Sequence, residues 1–242
     1  MRAWVGRAQS IVALTGAGLS TDSGIPDFRG PNGVWTKDPK AERTSHIDHY
    51  LGDPEVRRLS WQQRLVHPAW RAEPNAGHRA LVDLEQRGQL TCVITQNVDG
   101  LHLRAGHDPT RVLELHGSIR DVLCLDCGDR APMERALDRV RAGEDDPPCR
   151  SCGGILKSAT VSFGQSLDTA DLLAAEQATI AADLFLAIGT TLTVHPVAAL
   201  AGVAKAAGAL VVIVNGEPTA FDDAADAVLR GSIGEILPAI VD

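Results

Sequence analysis

Basic residues and cysteines are scarce in this chain, and each scarcity excludes a class of protein. Its 242 residues include 23 lysines and arginines against 31 acidic residues, a formal net charge of −8. We do not expect so acidic a chain to hold nucleic acid by bulk charge. The five cysteines are an odd number, and four of them lie in two close pairs. This distribution argues against a secreted disulfide framework and favours a metal site.

Long apolar segments are also missing. Residues 1–7 lack the apolar run of a signal peptide. Residues 196–214 are nearly long enough to span a bilayer, but they contain Lys205 together with Gly202 and Gly208. We interpret that segment as a helix of small residues followed by a buried strand. The sequence therefore predicts a cytoplasmic protein that does not cross a membrane.

Four short runs rich in β-branched residues end abruptly in glycine or polar residues, which is typical of parallel strands buried on both faces. They are Ile11–Thr15, Leu90–Thr95, Leu184–Ile188 and Leu210–Val214. Helical patterns lie between them at residues 75–86, 168–182 and 196–207. This alternation predicts an α/β protein with a doubly wound parallel sheet.

The residues that follow the four strands are small or able to hydrogen-bond, at the edge where open α/β sheets bind ligands. The first such segment contains Gly16 and Gly18, where backbone amides can approach a phosphate, and residues 20–23 follow as candidate helix caps. Thr21 occupies the third glycine position of the GxGxxG fingerprint. A strand-to-helix turn with no role in binding is therefore as good an interpretation of this segment as a phosphate-binding loop.

Cys124, Cys127, Cys149 and Cys152 form two CxxC pairs, the strongest spacing signal in the sequence. Each pair can place two thiolates on one tetrahedral metal ion, and four sulfur ligands leave no position for water. The pattern predicts a structural zinc site, with a redox motif or local disulfides as the alternative. Cys92 lies in an apolar strand and is interpreted as a buried small hydrophobic residue.

Two segments interrupt the α/β pattern and are interpreted as insertions that form a smaller module. Residues 32–74 carry three of the four tryptophans and the one tyrosine of a chain that is only 4% aromatic. Residues 120–156 carry the cysteine pairs.

Several blocks spread over nearly the whole chain resemble, in order, the motifs of the sirtuins, the NAD-dependent protein lysine deacylases. The blocks are GAGLS (16–20), GIPDFR (24–29), TQNVDGLH (95–102), LHGS (115–118), the two CxxC pairs, GTTL (189–192) and VNGE (214–217). The resemblance implies a large Rossmann-like, NAD-binding domain made of residues 1–31, 75–119 and 157–242. It also implies a small domain made of the helical insertion (32–74) and a zinc module (120–156).

The activity that the resemblance implies is the NAD-dependent removal of acetyl or other acyl groups from protein lysines. In that chemistry the acyl oxygen attacks the anomeric carbon of the nicotinamide ribose, nicotinamide leaves, and a ribose hydroxyl then attacks the imidate. The products are free lysine and an O-acyl-ADP-ribose. Two alternatives remain open: protein ADP-ribosyl transfer on the same fold, and a regulator that binds NAD or ADP-ribose without turnover.

The resemblance also assigns roles to residues. His116 is implied as the base, since an imidazole accepts a proton at neutral pH, and Asn97 and Asp99 are implied to orient the nicotinamide ribose and carboxamide. The implied NAD contacts are Gly16, Ala17, Gly18, Asp27, Phe28, Arg29, Gln96, Asn97, Asp99, Gly189, Thr190, Thr191, Asn215, Glu217 and Ile233. For Gly189 a structural turn, and for Ile233 core packing, are equally good interpretations.

The implied partner is an acyl-lysine protein or peptide, bound as an added strand. The matching residues are Val161, Phe163, Gly164 and Val194. Family members that favour acidic acyl groups carry a Tyr-x-x-Arg pair, and the comparable residues here are Trp61 and Arg64. Because only half of that polar pair is present, deacetylation or apolar deacylation is favoured over desuccinylation. Protein targets and oligomeric state are not predicted.

Overall fold

The computed structural model describes residues 1–241, of which residues 39 and 40 are described by their backbone alone. Its strands are β1 (Ile11–Thr15), β2 (Leu90–Thr95), β3 (Val112–Glu114), β4 (Gly117–Cys124), β5 (Arg130–Pro132), β6 (Leu156–Thr160), β7 (Leu184–Ile188), β8 (Leu210–Val214) and β9 (Ala227–Leu229). Its α-helices are α1 (Arg2–Val5), α2 (Val34–Lys37), α3 (Ile47–Gly52), α4 (Pro54–Leu65), α5 (Ala76–Gln86), α6 (Leu101–Ala105), α7 (Glu134–Arg141), α8 (Thr169–Ile180), α9 (Leu200–Ala206) and α10 (Ile233–Val241).

Six strands form one parallel sheet in the order β3-β2-β1-β7-β8-β9. The direction of winding reverses between β1 and β7. Every residue of these two strands is buried, as expected for strands covered on both faces. The predicted doubly wound parallel sheet is confirmed, and the reversal opens a crevice at the carboxyl ends of β1 and β7, where such folds bind ligands.

The two faces of the sheet carry separate apolar cores. One face packs against α5 and α10, with Leu81 and Leu237 fully buried. The other packs against α8 and α9, with Ala175 and Ala201 fully buried. Small residues on α8 and α9 allow these helices to approach the sheet closely.

All four predicted strands are confirmed with the predicted bounds. The helix predicted at residues 75–86 begins one residue later, because Asn75 caps it by accepting bonds from the amides of Gly77 and His78. The helix predicted at residues 168–182 is capped by Asp168 and ends at Ile180. The segment predicted as one helix at residues 196–207 is a 3₁₀ turn, Val197–Ala199, followed by α9.

Residues 20–23 do not cap a helix at this turn, so that expectation is wrong, although the Asp22 carboxylate accepts from the Gly234 amide in the first turn of α10 at 3.3 Å. Residues 20–23 lie inside a 3₁₀ helix, Ala17–Ser23, whose N-cap is Gly16. The Ser20 side chain is turned towards Asp99 instead.

The remaining three strands form an antiparallel sheet in the order β5-β4-β6. A third apolar core lies beside this sheet and joins Trp61 of α4 to Met133 and to Leu137 of α7. It therefore contains residues from both predicted insertions. The predicted domain boundaries stay a prediction, and β4 crosses one of them. Among residues 1–241, none of the helices has the length and apolar character needed to cross a membrane.

Candidate functional site

Two loops meet at the crevice between β1 and β7. The amide of Gly18 donates to the carbonyl of Gly189 at 2.9 Å, and a Cβ atom on Gly18 would lie 2.8 Å from the Cα of Gly189. Gly189 has φ +63°, and a Cβ there would lie 2.3 Å from the Leu19 amide nitrogen. Both glycines are required by this close approach. The loop contact thus supplies a structural reason for Gly18 and Gly189, and their part in NAD binding stays a prediction.

Asn97 and Asp99 lie close together and buried after β2, joined through Ser20. The Asn97 side-chain nitrogen donates to the Gly16 carbonyl at 3.1 Å and to Ser20 Oγ at 3.2 Å. Ser20 Oγ in turn donates to an Asp99 carboxylate oxygen at 2.7 Å. Burial raises the pKa of Asp99, while bonds from the Leu101 amide and from Ser20, and the charge of Arg120, lower it in part.

His116 lies between β3 and β4, where its ring is oriented by the chain segment after β2. Its Nδ1 is 3.0 Å from the Gln96 carbonyl oxygen. Because a carbonyl only accepts, Nδ1 carries the proton and Nε2 is left as the acceptor. Burial lowers the pKa of His116, and the bond to Gln96 raises it in part. The ring is therefore neutral at pH 7 and able to take up a proton through Nε2.

Gln96 also connects two strand ends. Its side-chain nitrogen donates to Thr190 Oγ1 at 2.9 Å, so the segments after β2 and β7 are linked. The Thr191 hydroxyl is 2.8 Å from that of Thr193, beside the crevice.

Asn215 and Glu217 follow β8. The Asn215 side-chain nitrogen donates to the Glu217 carbonyl at 2.8 Å, and Arg230 donates to the same oxygen. The Glu217 side chain is exposed, so its carboxylate is available to a ligand. Ile233 begins α10 and is buried in the core beneath the sheet, which supports its interpretation as a packing residue.

The loop with Asp27, Phe28 and Arg29 projects beside the first strand end. Asp27 accepts a bond from the Gly30 amide at 2.9 Å, which closes the turn. Phe28 is 44% exposed and Arg29 is exposed, so both side chains are accessible to a ligand.

One of the predicted peptide-binding residues, Val161, is bonded to His116. The Val161 amide donates to the His116 carbonyl at 2.8 Å. Phe163 pairs with residues of the helical insertion, donating to the Ser45 carbonyl and accepting from the Ile47 amide. Gly164 has φ +86° and is exposed. Val194, on the loop after β7, is half-buried.

The two predicted acyl-pocket residues have different surroundings. Trp61 is 2% exposed and belongs to the core of the small sheet. Arg64 donates to Ser158 Oγ at 2.8 Å. The buried position of Trp61 supports the packing interpretation for that residue.

The four paired cysteines converge. Their sulfur atoms all lie within 4.8 Å of one another, with 3.5 Å between Cys124 and Cys152 and 3.8 Å between Cys127 and Cys149. Zinc–sulfur bonds of about 2.3 Å in a tetrahedron require sulfur separations of about 3.8 Å. The thiol set therefore fits one tetrahedral zinc ion. Cys92 is buried in β2, as predicted.

The sequence patterns did not reveal three supporting residues. Ser20 joins Asn97 to Asp99, Arg120 donates to the Asp99 carbonyl at 3.1 Å, and Thr95 Oγ1 accepts from the Asn97 amide. The only sequence signal for Ser20 is its place in the glycine-rich block, and Arg120 lies in a charged segment that offers none.

The geometry defines a class: a doubly wound α/β protein with a ligand crevice at its switch point and a closed four-cysteine metal module. The Sir2 family model matches residues 16–196. NAD-dependent protein deacetylase 2 of Streptomyces coelicolor is 54% identical over 96% of both chains, and NAD-dependent protein deacylase 2 of Pyrobaculum aerophilum is 40% identical over 96% of this chain and 89% of its own. The chain belongs to the Sir2 family.

The fold of this chain is also similar to that of a solved Sir2 structure. It is described as a histidine-to-alanine variant with a deacetylated p53 peptide and 3′-O-acetyl ADP-ribose. It matches with a TM-score of 0.91 at 33% identity, covering 99% of this chain and 95% of that one.

Proposed function

We propose that this chain removes acetyl or other acyl groups from protein lysines, consuming NAD and one water molecule and releasing nicotinamide, the free lysine and an O-acyl-ADP-ribose. The observation that carries the proposal is the orientation of His116. Its Nδ1 is held by the Gln96 carbonyl, and its Nε2 is free to accept a proton at the edge of the sheet that bears Asn97 and Asp99. The family membership and the names of the relatives support the same activity.

NAD, when bound, supplies an electrophilic ribose carbon and nicotinamide as the leaving group. His116 takes a proton from a substrate hydroxyl at Nε2, and the neutral form favoured by burial is the form able to do so. The Gln96 carbonyl stabilises the proton on Nδ1 and holds the ring in one tautomer.

Asn97 and Asp99 orient one end of the substrate. Each is held by at least two hydrogen bonds within the chain, so the amide and the carboxylate keep their positions before substrate arrives. Such preorganisation is worth more in a buried site than in water. The loops at Gly16–Gly18 and Gly189–Thr191 are proposed to contact the phosphates, and Asn215 and Glu217 the adenosine ribose.

The peptide is proposed to bind as an added strand along Val161, Phe163 and Gly164 on one side and Val194 on the other. Arg64 remains the candidate contact for an acidic acyl group, whereas buried Trp61 shapes the core beside it. We further propose the two-domain division given above and a cytoplasmic location, since a four-thiolate zinc site is typical of reducing compartments. No nucleic acid partner is proposed.

Nicotinamide release should be measured with NAD and an acetyl-lysine peptide, the same peptide unmodified, or no peptide. The proposed function predicts release only with the acetylated peptide. Label transfer from NAD to protein without an acyl-lysine requirement would favour ADP-ribosyl transfer. Binding of ADP-ribose with no nicotinamide release under any condition would favour a non-catalytic regulator. Succinyl and butyryl peptides in the same assay determine the acyl preference.

A further inference from the structure

A series of aromatic rings connects the loop beside the NAD site with the segment proposed to bind the peptide. The rings of Phe28 and Trp35 are 4.7 Å apart between centroids, and those of Trp35 and Phe163 are 5.7 Å apart. The His46 ring follows at 5.3 Å from Phe163. The Arg29 guanidinium lies 4.6 Å from the centroid of the Trp35 ring. Trp35 therefore contacts both of the exposed loop residues and a residue of the peptide-side segment.

The loop that carries Phe28 and Arg29 is folded tightly onto the start of α2. The Val34 amide donates to the Asp27 carbonyl at 2.8 Å, and the Trp35 amide donates to the Phe28 carbonyl at 3.0 Å. A Cβ atom on Gly33 would lie 2.5 Å from the Phe28 carbonyl oxygen. Phe28 is thus joined to Trp35 by a backbone hydrogen bond as well as by ring contact.

The peptide-side segment is anchored elsewhere. Phe163 donates to Ser45 and accepts from Ile47, at 2.8 and 2.9 Å, so its backbone follows the helical insertion and not the loop. Its ring contacts Trp35, which in turn contacts Phe28, and this pair of contacts is the described aromatic link between the segment and the NAD-side loop. The half-exposed ring of Phe28 leaves room for further burial when the crevice fills.

We propose that Trp35 is a positioning residue that couples the two substrate sites, so that binding at one tightens binding at the other. Whichever ligand arrives first orders its own segment against the Trp35 ring, and the second ligand then loses less conformational freedom. Because such coupling is reciprocal, NAD-side and peptide-side affinities change by the same factor. The inference rests on the proposed function, since that function assigns the two sites.

The test measures the affinity for ADP-ribose, which is not turned over, by calorimetry with and without a saturating acetyl-lysine peptide. We expect the peptide to lower the Kd of the wild type about fivefold or more. In Trp35→Ala the effect should fall below about twofold, while the Kd for ADP-ribose alone stays within about threefold of the wild type. Phe163→Ala, which removes the other ring of the contact, should also lose the effect. Trp4→Ala is the matched control, since Trp4 is half-buried in the N-terminal helix α1, and it should keep the full effect.

Melting temperatures establish that each variant is folded, and Trp35→Leu replaces Trp35→Ala if the latter is not. The inference is overturned if either folded Trp35 variant keeps the wild-type coupling, if Trp4→Ala loses it equally, or if the wild type shows none. Nicotinamide release by the wild type tests the proposed function separately. If the wild type is active and the coupling survives loss of Trp35, only the proposed role of Trp35 is contradicted. If the wild type releases no nicotinamide, the proposed function is contradicted, and the binding measurement still tests the role of Trp35.

Discussion

The role proposed for His116 depends on which of its ring nitrogens carries the proton. The Gln96 carbonyl holds that proton on Nδ1, and burial lowers the pKa of the ring. Both effects keep Nε2 unprotonated at neutral pH, which is the state that a general base needs.

His116→Ala should reduce kcat/KM for the acetyl-lysine peptide by about 10²- to 10⁴-fold, the usual contribution of a general base. Affinity for ADP-ribose should remain near that of the wild type, because among the described residues the His116 side chain bonds to Gln96 and not to the glycine loops. In the wild type, the acid limb of the pH profile of kcat/KM should have its midpoint below 6.5, since the unprotonated ring is the active form. A midpoint well above 6.5, or normal turnover by the variant, would show that another group is the base.

Ser20→Ala should lower both stability and activity, although Ser20 is not among the residues predicted to contact NAD or the peptide. The change removes the hydroxyl that donates to buried Asp99 and accepts from the Asn97 side chain. Leaving these two groups without that partner should lower the free energy of unfolding by about 1–3 kcal/mol. We expect a lower free energy of unfolding in urea and a lower kcat. Ser10→Ala, which removes an exposed hydroxyl contact with Thr91, is the control. Equal behaviour of the two variants would contradict a supporting role for Ser20.

At the scale of elements, the strands of the large sheet were predictable because parallel strands buried on both faces are continuously apolar. Local sequence is sufficient for β1, β2, β7 and β8. The 3₁₀ conformation of Ala17–Ser23 was not predictable, because it follows from the close contact of Gly18 with Gly189, which lies 171 residues further along the chain. Arg120 was missed for the same reason, since its bond to Asp99 joins separate elements.

The metal module is the clearest element-scale prediction. Cys124→Ser removes one of four converging thiolates and should lower zinc content below one ion per chain, with a lower melting temperature, because metal binding and folding are coupled in such modules. Chelation of the wild type should act in the same direction. Cys92→Ala, which alters the thiol outside the cluster, should retain one zinc ion. Unchanged zinc content and stability in Cys124→Ser would contradict a structural four-cysteine site.

Two buried histidines, His78 and His102, and the half-buried His67 make stability dependent on pH. Burial lowers the pKa of His67 and His78 to about 4 and that of His102 well below 6.5. Near His78 and His102 lie His107, Arg79 and Glu85, the last bonded to His107. The folded chain therefore holds these three rings neutral, while the unfolded chain protonates them near pH 6.5.

The unfolded state binds more protons than the folded state below pH 6.5. The free energy of unfolding should therefore be at its full value above pH 6.5 and should decrease as the pH is lowered below it. Each histidine contributes a slope on the order of 1 kcal/mol per pH unit between about pH 6 and 5. Urea unfolding at pH 7.5, 6 and 5 measures this dependence of the free energy of unfolding on pH. His78→Asn should show a smaller slope than the wild type, and a flat profile would contradict the buried neutral rings.

At the scale of the whole molecule, the crevice at the switch point and the small antiparallel sheet stand on either side of His116. The ring follows β3 of the large sheet and directly precedes β4 of the small one. The family blocks located most of the crevice in advance, because several of them directly follow the carboxyl ends of parallel strands. The links between the two parts, through Val161, Phe163 and Trp35, depend on tertiary contacts that sequence spacing does not encode. The expectation from net charge that the chain does not bind nucleic acid stays a prediction, and net charge does not identify the substrate.

The central claim is most directly tested by the product balance of one reaction. The chain is incubated with NAD and an acetyl-lysine peptide, and nicotinamide, free-lysine peptide and O-acetyl-ADP-ribose are quantified by mass spectrometry. The account predicts equal amounts of all three, with none formed when either NAD or the acetyl group is omitted. Deacetylated peptide with free acetate and intact NAD, or nicotinamide released while the peptide stays acetylated, would contradict it.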